Sequence, residues 1–599
     1  MIALILILSL LLFALAYATY SKFLAKKVYD LNCEAKTPAE LVNDGIDYIP
    51  TNKWYLLAQH FSAISAAGPI FGPIIAGLAF GWLPALLWIV IGAIFIGSVH
   101  DFSTLVGSVK HKACSVAEIV KEHTGKKAYY IFIGYIWIAI IYILTAFTDV
   151  TASAFTNNVE IKNNDGVLID TIIGGGTASS SIIYLSLAVI LGIALKLVDK
   201  KIKSTGKIKW TRKIIVSLAL LLVGFSIWYG QENPISVSAL SQIFGEGFIQ
   251  SFSQPKFTWA ILILIYCGVA SILPMWLLLQ PRGLLGGSFL YIILFAGLAG
   301  IISGSANGDF SLSFSSFITF NDPKLGPLVP ILFTTIACGA CSGFHGIVCS
   351  GTTSKQLKSE CDAPLVGYGA MLLEGVIALV ALSTVMILIP KGFTGTPDAV
   401  FATGMGRFIA QFGIDLNFAI SLAMLAFATF VFDTIDVTTR LGRYLVQELL
   451  GIKGRSGSII GTAATLIIPM ILLTIQVTDA SGKIIPAYLV VWSVFGASNQ
   501  LLAALSLTGL FVWIRKLNKG IIQQVIVGVP MVFMTVITLW TLFLNVGRWF
   551  VAISEGKRTI NDPSGILNLL LIALALSLLY YSGMEIFKKK KEVKAEPVV

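Results

Sequence analysis

Three of the chain's five histidines, His60, His100 and His345, lie inside strongly apolar stretches. An imidazole binds or releases a proton near physiological pH, so each is a group able to exchange a proton in an otherwise inert setting. His60 stands two turns before the segment Gly68-Pro69-Ile70-Phe71-Gly72-Pro73 and is the first choice for coupling proton movement to another event. A hydrogen bond from His60 to a neighbouring helix is an equally good account, because Trp54, Tyr55 and Gln59 also form a polar cluster there. Gln59 either orients the imidazole or contacts a ligand, with packing the plainer role. Ionisable side chains within apolar spans are costly and are functional candidates by default. Asp101, beside His100, would relay protons or pair with a cytoplasmic base. Asp149 sits near the outer end of its span, where solvation or an interhelical hydrogen bond is favoured over gating. Glu374 is about 12 Å into its span at the helical rise, deep enough for a proton role or a buried partner. Asp433, Asp436, Arg440 and Arg443 form a ladder on one helix face, read as a salt-bridge network or an inner gate.

Cys338, Cys341, His345 and Cys349 follow at intervals that make one helical stripe. Cys and His are the usual zinc ligands, but the stripe would extend about 16 Å along a helix. Four ligands must meet one ion at roughly 2.0–2.3 Å. Close helix contact through small, polarizable residues is therefore favoured over metal, with Cys341 and His345 the weak metal candidates. His345, flanked by Gly343 and Gly346, is read evenly as a substrate or proton site and as a structural hydrogen bond. Most of the seven cysteines lie in or near spans, and Cys33, Cys114 and Cys361 fall on the expected cytoplasmic side, so a disulfide framework is not expected.

The elements that must position these groups are membrane helices. With 56% hydrophobic and 12% charged residues over 599 positions, the chain is a polytopic membrane protein. Fifteen apolar runs long enough to cross a bilayer begin near residues 2, 54, 84, 129, 181, 212, 257, 286, 327, 366, 413, 458, 486, 521 and 565. The first has no Lys or Arg before it and is read as a retained span. One set of alternate loops carries most of the Lys and Arg, and the positive-inside rule makes that set cytoplasmic, with the N-terminus outside and the C-terminus inside. The net charge of +11 then needs no nucleic-acid partner. Lys196 to Lys213 reads as a cytoplasmic loop, and Arg282 as a loop base that either obeys the same rule or attracts an anion.

The two Gly-Pro pairs interrupt a span in which lipid cannot satisfy the freed backbone groups. An inner half ending near Ala67 and an outer half starting near Gly72 or Pro73 would leave amides and the positive end of a helix dipole facing a gap, which suits a carboxylate. Gly68, Pro69, Phe71, Gly72 and Pro73 are the substrate candidates there. Five spans later, Cys267-Gly268 to Pro274 marks a second expected break, adding Gly268 and Ser271. Two interrupted helices in matching, inverted positions are what an inverted-repeat transporter requires. Asn499 and Gln500, beyond that core, are read as helix-locking amides.

The same residues resemble a known family. Asn52-Lys53-Trp54, Gln59 to Ile64 and the double Gly-Pro, then Val99-His100-Asp101-Phe102, Gln280-Pro281-Arg282, Ser342 to Gly346, Phe432-Asp433-Thr434 and Ala497 to Leu502 are similar to the motifs of the carbon starvation CstA family. The resemblance implies a carrier of the amino acid, polyamine and organocation superfamily, in a bacterial or archaeal cytoplasmic (inner) membrane, that imports peptides or pyruvate in nutrient limitation. The expected fold is all-α and polytopic: about 15 transmembrane helices with a LeuT-like five-plus-five inverted-repeat core. Its expected divisions are 1–53 (leading helix and loop), 54–256 and 257–440 (the repeats), and 441–599 (four trailing helices and a basic tail). No enzyme activity and no cofactor are expected, and the partners are a carboxylate-bearing substrate and the bilayer. The coupling cation is expected to be the proton. The alternative is sodium, for which Thr334, Thr335 and Ser342 would offer oxygens; a channel and an intramembrane metalloprotein are the remaining classes, and no phosphate loop for direct ATP drive is present. His60→Ala is expected to abolish proton-driven uptake while sparing expression; unchanged accumulation under a proton gradient would remove His60 from the coupling mechanism.

Overall fold

Lipid offers no hydrogen-bond partner, so each crossing segment must satisfy its own backbone, and an apolar chain of this composition resolves into helices. The structure, a computed structural model, describes residues 1–65, 67–162, 168–201, 205–245, 254–388, 396–474, 477–478, 484–485, 487–556 and 563–587. Among these, thirteen helices are long and apolar enough to cross a membrane, and a bent pair supplies a fourteenth crossing. The chain begins with α1 (Ile2–Ala16), prolonged by π turns to Val28, then α2 (Pro38–Val42) and the bent pair α3 (Lys53–Ile64) and α4 (Gly68–Phe80). Next come α5 (Trp82–Gly92), which runs through a π turn into α6 (Ser98–Lys110), then α7 (Val116–Thr124), α8 (Lys126–Thr156), α9 (Gly174–Lys201), α10 (Thr205–Glu232) and α11 (Ser238–Gly245). They are followed by α12 (Pro255–Ile272), α13 (Leu279–Asn307), α14 (Leu328–Thr335), α15 (Gly343–Val348), α16 (Ala370–Met386) and α17 (Pro397–Ala410). The last are α18 (Leu416–Leu450), α19 (Gly454–Thr474), α20 (Ala487–Lys516), α21 (Ile521–Ser554) and α22 (Pro563–Phe587). Three small antiparallel strand pairs lie in loops.

Helices α8, α16, α18 and α20 are mostly buried, whereas α1, α9, α10 and α19 turn most of their surface outward. At the centre α8 packs along α18, α13 along α3, α16 along α4, and α20 along α8 and α15. The chain beyond residue 440 is thus not uniformly peripheral, since α20 is a core helix carrying Asn499 and Gln500.

The first interruption differs from its expected position. The inner half ends at Ile64 and the outer half starts at Gly68, with a 47° bend between them. Pro69 sits in the first turn of α4, where a missing N–H is no loss because those amides have no intrahelical acceptor. The Gly-Pro pair therefore opens α4, and Pro73 lies within the helix.

The second expected break is not a break. α12 is continuous through Gly268 and Ser271, and the Ser271 hydroxyl lies 2.7 Å from Thr462 Oγ1 and donates to the Gly268 carbonyl at 3.2 Å. Pro274 falls after the helix, and Leu273 before it is extended, as a residue preceding proline prefers. The second interruption instead separates α14 from α15, across residues 336–342. Cys338 and Cys341 lie on this irregular backbone, which dissolves the expected Cys/His helical stripe.

The two interruptions cross closely. A Cβ on Gly72 would sit 2.5 Å from the Thr335 carbonyl oxygen and 3.1 Å from the Ile336 Cα, so only a bare backbone fits. One disulfide, unexpected from the sequence, joins Cys33 to Cys361, with Cα atoms 5.2 Å apart. It ties the segment after α1 to the approach to α16, where Asn32 N–H and Lys110 Nζ also bond Glu360 at 2.9 and 2.8 Å. These cysteines are 328 residues apart and meet only because two loops emerge together on one face.

Gly72→Val is expected to destabilise the protein by about 1–3 kcal/mol, because the opposing atoms are backbone and cannot step aside. Gly134→Ala, on an α8 position with nothing within 4 Å, is expected to be neutral or to stabilise by up to about 1 kcal/mol. Thermal unfolding in detergent compares the two, and equal melting temperatures would refute the close crossing.

Candidate functional site

The interruption before α15 sets His345 between two acids. His345 Nδ1 is 2.8 Å from Asp101 Oδ2 on α6, and Nε2 is 3.0 Å from Glu374 Oε2 on α16. Asp101 Oδ1 lies 2.8 Å from His100 Nδ1, and all four side chains are fully buried. His345 Nδ1 is hydrogen-bonded and Nε2 is within ion-pair distance but not aligned for a hydrogen bond; an imidazole set between two carboxyl groups has two arrangements. Either an imidazolium donates to two carboxylates, or a neutral ring donates to one carboxylate and accepts from the other acid in protonated form. Both hold the same proton, and losing it would leave two buried carboxylates facing a neutral ring. Asp101 thus finds its partners in the core and not in a cytoplasmic base.

His60 is placed near this group but does not bond an acid. Its Nδ1 is 2.8 Å from Thr353 Oγ1 and its Nε2 is 3.8 Å from Cys349 Sγ. Neighbouring Gln59 packs over Gly283 of α13 and lines a cavity of about 430 Å³ shared with Thr51, Tyr55, Lys196, Arg212 and Gln280. Lys196, placed by sequence in a loop without a ligand role, is part of that cavity wall, with its ammonium 3.4 Å from the Trp276 ring centre.

A second ionic group touches α3 at Ser62. Arg282 is in the first turn of α13, 1% exposed, and is not a loop base. Its Nε is 2.5 Å from Asp433 Oδ1, and its Nη1 contacts Asp436 and the Tyr266 hydroxyl, the latter at 3.0 Å. Ser62 donates to Asp433, Tyr266 to Asp436 at 2.8 Å, and Tyr184 to the Arg282 carbonyl at 3.0 Å. The expected ladder along α18 is corrected accordingly: Asp433 and Asp436 bond across to α13, while Arg440 donates to the carbonyls of Ala270 and Leu273 and lies 3.7 Å from Asp47. Tyr444 bonds Asp47 at 2.5 Å, and Lys355 stands 4.2 Å from the Tyr444 ring centre. Burial lowers the Lys355 ammonium from the usual lysine range, against the opposing pull of Asp47. Asp149 pairs with Lys256 at 2.8 Å.

The α4 candidates are buried, and their glycine face is filled by the second interruption: Gly68 meets Cys338 and Gly72 meets Thr335. Phe71 stacks on Phe427 at 5.4 Å. Asn499 secures the interruption. Its Nδ2 donates to Ser342 Oγ at 2.9 Å and Cys338 Sγ at 3.3 Å, and its Oδ1 accepts from the Phe344 amide at 2.9 Å. Gln500 donates to the Phe333 carbonyl at 2.5 Å. Cys341 and His345, the weak metal candidates, are both fully buried, and the His345 ring faces Asp101 and Glu374.

The family profile described as carbon starvation protein CstA matches residues 1–397 and 394–541. The chain belongs to the CstA family. Its relatives include the Campylobacter jejuni peptide transporter CstA, 30% identical over 88% of this chain and 78% of the relative. The Escherichia coli pyruvate/proton symporter BtsT is 29% identical, covering 90% and 81%, and the Bacillus subtilis peptide transporter CstA is 31% identical, covering 84% and 83%. Among solved structures, MhsT in complex with L-phenylalanine matches 82% of this chain and 98% of its own at a TM-score of 0.51 and 11% identity, a likeness of fold. CstA membership makes the chain a multi-pass membrane transporter and not an enzyme.

Ser62, Tyr266 and Thr353 were not legible as a site, and Arg282 was read only as a loop base or an attractor of anions. An Arg just beyond an apolar run satisfies the positive-inside rule, so nothing local marks it as buried. In this CstA-family chain, Arg282→Met is expected to cost about 3–5 kcal/mol by stranding two buried carboxylates. Asp433→Asn and Asp436→Asn added to it should recover part of that loss. Thermal unfolding reads the series; an Arg282→Met protein as stable as its parent would refute the ion group.

Proposed function

We propose that this CstA-family chain is a proton-coupled secondary carrier that imports a small carboxylate-bearing nutrient, pyruvate or a peptide, by alternating access. The observation that carries the reading is the buried Asp101–His345–Glu374 chain, whose central ring stands on an interrupted helix while its acids stand on two different helices. Rocking α15 relative to α6 or α16 lengthens one ring-to-acid contact and so moves the shared proton toward the other side. The substrate class rests on the peptide and pyruvate carriers named among the relatives; the α4 N-terminus adds the positive end of a helix dipole, while its Ile70 and Phe71 amides are taken by the Ala67 carbonyl.

The proposed frame is a five-plus-five inverted repeat with revised limits. One repeat runs over 53–307, with α3/α4, α5/α6, α8, α12 and α13, and takes α9–α10 as an inserted hairpin. The other runs over 328–516, with α14/α15, α16, α18, α19 and α20. Matching features support it: a short helix follows the second span of each (α7 and α17), the fifth span of each packs on its interrupted helix (α13 on α3, α20 on α15), and the third spans pair (α8 with α18). With the N-terminus outside, Arg440, Asp47, Tyr444 and Lys355 become a closed cytoplasmic layer. The cavity beside Gln59 becomes the release vestibule, where Lys196 favours an anion while Arg212 is paired with Asp199 in the same wall.

Uptake of labelled pyruvate and of a dipeptide by protein in liposomes, under separate proton and sodium gradients, tests the proposal. Accumulation is expected with the proton gradient, and Glu374→Gln and His345→Gln should lose it while retaining exchange of labelled for unlabelled substrate. Accumulation driven by sodium alone would overturn proton coupling, and no uptake of either compound by folded protein would overturn the substrate class.

A further inference from the structure

At the end of the helix that carries Asp101, the turn joining α6 to α7 gathers three metal-ligating side chains. His111 directly follows α6, and Glu122 and His123 lie at the end of α7. The chain reverses between them through Lys112 and Ala113, whose φ of 60° and 56° place both in the left-handed region. α7 is thereby folded back so that its last turn faces His111.

The ring of His111 is oriented. Its Nδ1 lies 2.7 Å from the Gly107 carbonyl, a contact that requires an N–H, so Nε2 carries the lone pair. That nitrogen faces His123 Nε2 at 2.9 Å, and Glu122 Oε1 stands 4.0 Å from it. The three ligand atoms all lie within 4.8 Å of one another. Donors about 2.0–2.2 Å from one tetrahedral ion are about 3.3–3.6 Å apart, so the observed spacings bracket the bound geometry. The carbonyl bond on Nδ1 is also the outer-shell contact that fixes ligating histidines in metal sites. α20 supports the cluster from behind: Trp513 packs edge-on against His111 at 5.1 Å, and Lys516 donates to the His123 carbonyl at 2.7 Å. The Lys516 charge opposes a cation, but its ammonium is turned to that carbonyl and lies 3.9 Å from Glu585.

We propose that His111, Glu122 and His123 form a binding site for a divalent transition metal. Two imidazoles and one carboxylate suit zinc, cobalt or nickel, and exclude magnesium and calcium, which take all-oxygen sets. The three protein ligands leave a fourth position for water or an exogenous donor. A bound ion would clip the end of α6, the helix that carries Asp101, to α7 and through it to α20.

The test is titration of the full-length, tag-free protein in detergent with Co²⁺, read by its visible ligand-field absorption and by its displacement with Zn²⁺. One equivalent of tetrahedral Co²⁺ is expected, lost in His111→Gln and in His123→Gln, weakened in Glu122→Gln and kept in Glu118→Gln, a nearby acid outside the set. Zn²⁺ should raise the melting temperature of the parent and not of the two histidine variants, whose metal-free melting curves report that they fold. Absence of the Co²⁺ spectrum in the folded parent overturns the site without any variant and leaves an ordinary histidine–histidine hydrogen bond. An unchanged titration in both histidine variants overturns it equally, and so does equal competition by Mg²⁺.

Discussion

Backbone groups freed inside a membrane have no water to bond, and the rest of this structure follows from where the two interrupted helices satisfy that demand. They do so against each other and against α20. α4 starts at the first Gly-Pro, where proline costs nothing, and its glycine face lies on the carbonyl of Thr335. The α14–α15 interruption is closed by Asn499, whose amide bonds Ser342, Cys338 and the Phe344 N–H, while Gln500 takes the Phe333 carbonyl. Two amide side chains on one buried helix thus make an irregular segment tolerable at the centre of the protein.

The same crossing organises the charges. α15 begins immediately after the interruption and carries His345 to Asp101 and Glu374, while α3 carries Ser62 to Asp433 and His60 to Thr353. Two ionic groups result: Asp101 and Glu374 with His345 and His100, and Asp433 and Asp436 with Arg282. Burying charge is expensive unless it is paired, and the paired groups come from five helices, α6, α13, α15, α16 and α18.

Much of the architecture was legible from hydropathy alone. Thirteen long apolar helices and the bent pair fall close to the expected spans, and the family motifs from Gln59 onward are mostly buried, while Asn52-Lys53-Trp54 is exposed. The errors share one cause. Gly268 and Pro274 look like a break by composition, yet a glycine is tolerated within a helix and a proline just beyond its end does no harm. Cys338 to Ser342 contains no proline, so its small residues read as a continuous helical stripe although the chain is irregular there. Local sequence reports what a break would require, and it does not report which neighbour stands ready to satisfy one.

By itself, then, the sequence determined the membrane helices, the first interruption to within a turn, and the short roster of acids and imidazoles able to hold protons in an apolar interior. Those depend on properties of single segments: length, hydropathy and the stereochemistry of proline. Only the tertiary structure decided the partners. His345 rather than His60 bridges two acids, Arg282 lies in the core and not in a loop, Asp433 and Asp436 face α13 instead of Arg440, and Cys33 meets Cys361. Each of these is a contact between segments tens to hundreds of residues apart, or, for Asp433 and Arg440 on one helix, a choice of the side toward which that helix turns. Such choices are set by close packing of many helices at once, and no run of residues carries them alone.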